Sequence, residues 1–340
     1  MFEQVKVFRG SRESAPRRLS EETLSDLEII MSKEMESLDP EDIGESIGIS
    51  TDEIATDMEY VRTTSEKIAR QNELAKAIKE KRHELEGVEN KEVLDYYERL
   101  GHVFEGFLYS HIGKSRIFKD VILHKTSEFD DLQNGVDFVA ELHDADNPKS
   151  YIALAMDASF SMSQALIEKK MDRSMKDIAS KKLSQVKYFQ YEDGAPEAKL
   201  GMPRVVVGTD EYRVQSLLER WHAEEKSESE ISFEQDPVWT LMALEINEQL
   251  KMFIDQANFH KQSVLASVCG KYQRALEVSL RLNKDLVERH RLLSGQDGTA
   301  NAIRNFCKKM ERERGISKIQ HSEAEQERLD DEMFRKAVGR

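Results

Sequence analysis

Two short apolar segments decide the fold: Asn134-Gly135-Val136-Asp137-Phe138-Val139-Ala140-Glu141-Leu142 and Tyr151-Ile152-Ala153-Leu154-Ala155-Met156-Asp157-Ala158-Ser159-Phe160-Ser161. Both have the composition of strands buried in a sheet. Each contains one aspartate, and a carboxylate inside such a strand is costly unless a partner compensates its charge. Asp137 and Asp157 on neighbouring strands, with the helical acid Glu105 upstream, therefore indicate a shared cation.

The residues around these segments predict the order helix, three strands, helix, strand. The first helix is indicated by apolar residues that recur about every 3.6 residues. The last strand is indicated by a short run rich in valine. Two turns, at 133–135 and 145–148, precede the second and third strands. The predicted elements are a helix over 91–113, strands over 116–124, 135–142 and 150–158, a helix over 163–187 and a strand over 203–208.

Side-chain alternation places both aspartates opposite the most apolar strand faces, because successive side chains in a strand point to opposite sides. Glu105 lies one residue beyond the apolar stripe of its helix. Magnesium prefers oxygen ligands from carboxylates, waters and phosphates. Each acid also has a simpler interpretation: Asp157 as a cap of the next turn, Asp137 as a half-solvated residue after a turn, and Glu105 as a surface glutamate. The nearby Asp130 and Asp131 are expected to be solvated.

The order of elements and the positions of these acids resemble the PD-(D/E)XK nuclease superfamily, the restriction-endonuclease-like fold. The resemblance covers roughly residues 91–225 of the predicted core (89–226) and implies an α+β fold with an αβββαβ core. It also implies that Glu105, Asp137 and Asp157 hold Mg²⁺ or Mn²⁺. The implied activity is divalent-metal-dependent hydrolysis of phosphodiesters in DNA or RNA.

The chain departs from the family pattern at one position. The family places a lysine two residues after the last acid, where this chain has Ser159. Some members carry this lysine on the following helix, where Lys169 and Lys170 are candidates, and we predict Lys169 as the catalytic lysine. A rise of 1.5 Å per residue places Lys169 roughly 10 Å along a helix that starts near residue 163. The alternative is therefore a catalytically inactive nuclease-like fold that serves in nucleic-acid binding, protein binding or assembly.

Charge is distributed unevenly along the 340 residues, whose formal net charge is −15. This total argues against a protein coated with basic surface. Residues 21–60 contain fourteen acidic side chains and the single basic Lys33, whereas the predicted helix 163–187 is basic. We expect this helix to contact nucleic acid. The acidic segment is expected to contact a basic partner or the chain's own basic helix, and a helical adaptor built on this segment is a third functional hypothesis.

The remaining sequence predicts helices on both sides of the core. No apolar stretch approaches the roughly 20 residues that span a bilayer, and the first 20 residues lack the apolar region of a signal peptide. We therefore expect a cytoplasmic protein that does not insert into membranes. The predicted organisation is a basic tail (1–19), an acidic helical region (20–88), the core (89–226), a C-terminal helical region (227–316) and a polar tail (317–340).

Overall fold

We describe the fold from a computed structural model. The residues it describes are 18–34, 47–86, 91–119, 121–144, 147–159, 164–181, 183–189, 200–227, 233–291 and 297–314. The predicted tails fall almost entirely outside these ranges. Within the described ranges, no helix combines the length and apolar character needed to cross a bilayer.

The chain forms a mixed α and β structure in which helices are the main element. The strands are β1 (Ile122–Lys125), β2 (Phe138–Asp144), β3 (Asn147–Ser159), β4 (Ser184–Val186), β5 (Leu200–Met202) and β6 (Arg204–Gly208). The helices are α1 (Glu21–Glu34), α2 (Thr51–Glu86), α3 (Lys91–His111), α4 (Glu128–Asn134), α5 (Gln164–Ala179), α6 (Glu211–Ser227), α7 (Pro237–Phe259), α8 (Ser263–Leu282), α9 (Lys284–His290) and α10 (298–314). Short 3₁₀ turns follow α3 (Ile112–Lys114) and precede α7 (Phe233–Gln235).

The central sheet has four strands in the order β1-β2-β3-β6. The first three strands are antiparallel neighbours, and β6 joins β3 in parallel. A parallel pair needs a crossover connection, and α5 lies in the connection between these two strands. Strands β4 and β5 form a separate antiparallel pair. This order of strands brings the carboxyl end of β3 next to the start of β2.

Both faces of the central sheet are covered. One face carries Phe138 and Met156 and packs into the main hydrophobic core, which also contains Phe107 of α3 and Trp239 of α7. The other face carries Val139 and Ala155, and it packs on Val186, Phe189 and Met202 around the small sheet. Residues of opposite parity on β2 and β3 therefore enter different cores, which fixes the register of these strands.

The helices at the two ends of the chain join the same core as the sheet. Leu24, Leu27 and Met31 of α1 are buried against α3. Gly106 permits this approach, because a Cβ there would lie 2.6 Å from the Cβ of Met31. Helix α7 begins at Pro237, and Asp236 before it caps the helix by accepting a hydrogen bond from the Val238 N–H at 2.9 Å.

Two predicted elements differ from the structure in extent, and other observed elements were not predicted. The helix predicted over 163–187 ends at Ala179, because Lys181 adopts a positive φ of 59° and the following residues form β4. The strand predicted over 116–124 is reduced to β1, because Ser115 Oγ accepts a hydrogen bond from the Phe118 N–H in a turn. Helix α4 and the strands β4 and β5 were not predicted.

The acidic segment 21–60 binds basic side chains of its own chain. Glu21 and Glu28 form ion pairs with Arg99 on α3 at 2.6 and 2.8 Å. Glu53 and Asp57 both bind Lys187, which lies just beyond β4. Both basic partners lie outside α5, which ends at Ala179, so these ion pairs are not the expected contact with the basic helix.

Candidate active site

Asp157 lies near the carboxyl end of β3, beside Val206 of the parallel strand β6. The residue is only 8% exposed. Its Oδ1 lies 2.5 Å from Nζ of Lys170 on α5, and the same ammonium group donates to the carbonyl oxygen of Ala158 at 3.0 Å. The carboxylate therefore faces a cation supplied by the next helix.

Asp137 directly precedes β2 and is attached to β3 by two hydrogen bonds. Its backbone N–H donates to the carbonyl oxygen of Met156 at 3.0 Å. Its Oδ2 accepts from the N–H of Ala158 at 2.6 Å. Because Ala158 is also the residue that Lys170 contacts, the two aspartates converge at the same point of β3.

Glu105 reaches the same end of the sheet from α3. Its Oε2 lies 4.0 Å from Nζ of Lys125, the last residue of β1. Lys125 stands opposite Phe138 in the strand register and lies over its ring, 5.3 Å from the centroid. Lys125 therefore brings a second ammonium group to the site.

The carboxylates of the site influence one another electrostatically. Burial raises the pKa of Asp137 well above its ordinary value, and the negative charges of Asp157, Asp131 and Glu105 raise it further. Burial also raises the pKa of Glu105, against the opposing effect of Lys125. The acids predicted from helix, second strand and third strand thus interact as one cluster.

Asp131 on α4 is a fourth carboxylate of this cluster. Burial raises its pKa, although part of the side chain remains open to solvent, while a hydrogen bond with Asp137 lowers it. The neighbouring Asp130 is fully buried and accepts the backbone N–H groups of Lys187 and Tyr188 at 2.8 and 3.0 Å. The expectation that both residues are solvated is wrong for Asp130, which is fully buried and anchors α4, and is confirmed for Asp131, which is exposed beside Asp137.

The predicted catalytic lysine, Lys169, lies on the exposed side of α5. The neighbouring Lys170 belongs to the face that also buries Ile167, Met171 and Ser174, and this face points toward β3. Of the two candidate lysines, Lys170 and not the predicted Lys169 reaches Asp157 in the structure, because one residue in a helix rotates the side chain by about 100°. The roughly 10 Å of helical rise is no obstacle for a long side chain on the inward face.

Two arginines extend the positive charge beside the acids. Arg204 at the start of β6 is buried and donates to the carbonyl oxygen of Asn134 at 2.6 Å and to Asp177 Oδ2 at 3.0 Å. Burial lowers the pKa of Arg204, and the nearby Arg173 lowers it further. Gly135 leaves room for these side chains, since a Cβ there would lie 2.4 Å from Arg173 Nη1.

The donor chemistry of the cluster suits a hard cation, since carboxylates and a backbone carbonyl are oxygen ligands. Four carboxylates (Glu105, Asp131, Asp137 and Asp157) face two ammonium groups (Lys125 and Lys170), a formal excess of two negative charges. Within the ranges that the structure describes, however, no three His, Cys, Asp or Glu side chains are grouped closely enough to hold a metal ion. One of these acids, Asp157, forms an ion pair with Lys170.

Comparisons with models of known protein families, with curated proteins and with solved structures give no match for this chain. Functional inference therefore depends on the geometry of the site.

Sequence reasoning missed Lys125, Asp131 and Arg204. A signal for Asp131 was present: Ser127-Glu128-Phe129-Asp130 fits the capping-box pattern at a helix start. Ser127 Oγ does accept the Asp130 N–H at 3.2 Å. Recognising this helix start would have placed Asp131 on an ordered element next to β2. Lys125 and Arg204 sit at the ends of strands, and no local pattern in the sequence identifies them.

Proposed function

We propose that the chain is a divalent-metal-dependent nuclease whose site contains Glu105, Asp137, Asp157 and Lys170. The observation that supports this proposal is the arrangement of three acids at one end of the sheet. Glu105 comes from α3, Asp137 precedes β2, and Asp157 lies on β3 in contact with Lys170 of α5. The sequence of elements from α3 to β6, with β6 parallel to β3, supports a restriction-endonuclease-like core with α4 and the small sheet as insertions.

In the proposed mechanism, Asp137 and Asp157 would bind Mg²⁺ or Mn²⁺ together with waters and phosphate oxygens, because the described residues offer no group of three close enough to hold it. A bound ion of this kind supplies a water of lowered pKa and stabilises negative charge on the phosphodiester. Asp137 is held in place by the Ala158 N–H, so its carboxylate is oriented before substrate binds. Lys170 places a positive charge at the end of β3, where it would orient the attacking water or stabilise the charge that develops on the phosphate.

The exposed face of α5 supports a nucleic-acid substrate. Lys169, Arg173 and Lys176 are exposed there, with Asp172 as the acidic exception. Basic side chains in a row bind phosphates without reading sequence. This row is adjacent to the acids, since Arg173 reaches Gly135 and the carbonyl oxygen of Gln133 (3.3 Å) just before Asp137.

The proposal is tested by incubating the full chain with plasmid DNA, single-stranded DNA and RNA, each with Mg²⁺ or Mn²⁺ and each with EDTA. We expect metal-dependent cleavage of at least one substrate. Asp137→Asn and Asp157→Asn should abolish cleavage, whereas Asp172→Asn, an exposed acid on α5, should leave it unchanged. Substrates that stay intact with every metal would refute the nuclease assignment.

A second candidate function is a non-catalytic nucleic-acid-binding or assembly module of the same fold. It is favoured by the position of Lys170, whose ammonium group already neutralises Asp157 and contacts the Ala158 carbonyl. A lysine fixed in this way can replace a metal structurally. Calorimetric titration with Mg²⁺ and Mn²⁺ separates the two candidates, because absence of saturable metal binding favours the module.

A further inference from the structure

A groove lies on the surface of the C-terminal helices, between α7, α8 and α9. Its volume is about 450 Å³, which falls within the usual range of binding sites. The residues that line this C-terminal groove are Leu244 and Asn247 of α7, Glu277, Leu280 and Arg281 of α8, Lys284, Val287 and Glu288 of α9, and Arg291.

Apolar side chains of three different helices meet in the C-terminal groove. Leu244, Leu280 and Val287 are all half-buried, so each keeps part of its surface open to solvent. Most of the charged side chains around them are exposed. A group of apolar side chains within a charged rim is typical of a surface that another segment covers.

The charges of the groove favour an acidic occupant. Its lining contains three basic and two acidic side chains, a formal excess of one positive charge. Both carboxylates already have partners on their own helices. Glu277 accepts a hydrogen bond from Gln273 Nε2 at 3.1 Å. Glu288 lies 3.5 Å from Lys284 Nζ. A segment that combines acidic with apolar residues therefore matches both the charge and the apolar lining of the groove.

Residues 323–334 of this chain, which lie outside the described ranges, have that composition. The run 323–332 contains six acidic side chains and the single basic Arg328, a formal charge of −5. Leu329 lies within this run, and Met333-Phe334 follows it directly. Residues 1–17, at the other end of the chain, contain four basic and two acidic side chains, a formal charge of +2. That charge has the wrong sign for the groove.

The last described residues of α10 lie within reach of the groove. Arg314 Nη1 is 3.5 Å from Asp255 Oδ2, near the end of α7. Leu244 lies roughly 16 Å back along α7 at a rise of 1.5 Å per residue. It also lines the cavity between α7 and α10, so the groove is adjacent to α10. Residues 315–322 span about 27 Å when extended, enough to bring the acidic run back along α7.

We infer that residues 323–334 dock in the C-terminal groove of their own chain. Leu329, Met333 and Phe334 would cover the apolar side chains of the groove, and the acidic side chains would face its arginines. This contact would join the end of α10 to α8 and α9. The inference is independent of the proposed nuclease activity, because the groove shares no residue with the acidic cluster.

The test is chemical cross-linking of the full chain with the cysteine pair Glu288→Cys/Gln326→Cys, which keeps every basic residue of the groove and every acid of the run. The native Cys269 and Cys307 are buried, so a short bismaleimide reacts first with the engineered thiols. We expect a cross-link within one chain. It should form about tenfold faster or more than in the control pair Lys67→Cys/Gln326→Cys, because docking raises the effective concentration of the second thiol. Lys67 is exposed on α2.

Charge reversal in the groove tests the same contact independently. Arg281→Glu/Lys284→Glu, added to the groove cysteine pair, should slow the cross-link about fivefold or more, because like charges then face each other. Lys67→Glu/Arg70→Glu on the exposed side of α2 makes the same change of charge and should not slow it. Circular dichroism verifies that each variant folds, and denaturing electrophoresis separates links within one chain from links between two. The inference is wrong if the groove pair reacts no faster than the control pair, if links form only between two chains, or if charge reversal has no effect.

Discussion

Lys170 Nζ lies 2.5 Å from Asp157 Oδ1 and forms an ion pair across the gap between α5 and β3. The side chain of Lys170 is 25% exposed and that of Asp157 is 11% exposed. The pair is therefore screened from most solvent but still open on one side. Lys170 therefore supplies a positive charge next to carboxylates that repel one another.

Replacement of Lys170 by methionine should lower the cleavage rate by about 10²-fold or more, because the site loses the group that orients water or stabilises charge. It should also destabilise the fold by about 1 kcal/mol, since Asp157 loses its partner. Single-turnover cleavage and urea denaturation measure the two effects.

Lys169→Met is the matched control, one residue away on the exposed side of α5. It should change the cleavage rate less than about threefold, an effect expected only from weaker phosphate contact. Equal losses in the two variants would contradict the assignment of Lys170 to the site.

Replacement of Asp137 by asparagine should raise stability at neutral pH. The pKa of Asp137 is raised in the folded protein, so the folded state binds this proton more tightly than the unfolded chain does. Stability is then lost as the pH rises from about 4 through the raised pKa. An asparagine keeps an acceptor for the Ala158 N–H and removes this loss.

Thermal denaturation in EDTA between pH 4 and pH 8 measures this effect. We expect Asp137→Asn to raise the Tm by about 2 °C or more at pH 7.5, and by less at pH 4. Asp172→Asn should follow the wild-type curve. Two results together would contradict this prediction: the Tm of the wild type rises steadily from pH 5 to pH 8, and Asp137→Asn has the same Tm as the wild type. They would show that the carboxylates do not repel one another in solution.

The acids of the site were predictable because their positions depend on local periodicity. Alternation along a strand decides which face Asp137 and Asp157 occupy, and a helical stripe places Glu105 near its edge. The choice between Lys169 and Lys170 was also open to sequence reasoning, because the buried stripe of Ile167, Met171 and Ile178 has Lys170 beside it and Lys169 on the opposite side. The rise along the helix, from which Lys169 was judged, contains no information about this rotation.

The small sheet and α4 could not be predicted in the same way. Strands β4 and β5 have three residues each, too few to establish an alternating pattern. Their positions follow from tertiary contacts, since Val186 and Met202 fill the second core beneath Val139. Asp130 likewise depends on partners 57 and 58 residues away, which no local window contains.

Gln249 of α7 hydrogen-bonds to the backbone of β6, an edge strand of the central sheet. Its side-chain amide accepts the Val206 N–H at 2.8 Å and donates to the Val206 carbonyl at 2.7 Å, as a neighbouring strand would. Gln249→Leu should destabilise the protein by about 1–3 kcal/mol, because both buried backbone groups lose their partner.

Urea denaturation measures this loss, with Gln273→Leu on the half-buried side of α8 as the control, which should cost less than about 0.5 kcal/mol. If Gln249→Leu proves as stable as the control, water replaces the glutamine at this edge.

The acidic end of α2 should compete with nucleic acid for Lys187. Glu53 Oε1 lies 2.7 Å from Lys187 Nζ, and Asp57 accepts hydrogen bonds from both Lys187 and the Tyr188 hydroxyl. The double variant Glu53→Gln/Asp57→Asn frees Lys187 for a phosphate. We expect its affinity for DNA to rise about threefold to tenfold at low salt, and the slope of log K against log salt to steepen by about 0.9.

Fluorescence anisotropy with a labelled DNA duplex and a labelled single strand measures both quantities. Glu59→Gln is the control, because Glu59 lies on the same helix but pairs with the exposed Arg62. The double variant loses two buried interactions and should be less stable by about 1–3 kcal/mol, so binding is measured where circular dichroism shows it folded. Should the double variant and the control bind DNA with the same affinity and salt dependence, the Lys187 cluster only attaches α2 to the core. An increase confined to the double variant means instead that this acidic end occupies a phosphate-binding position.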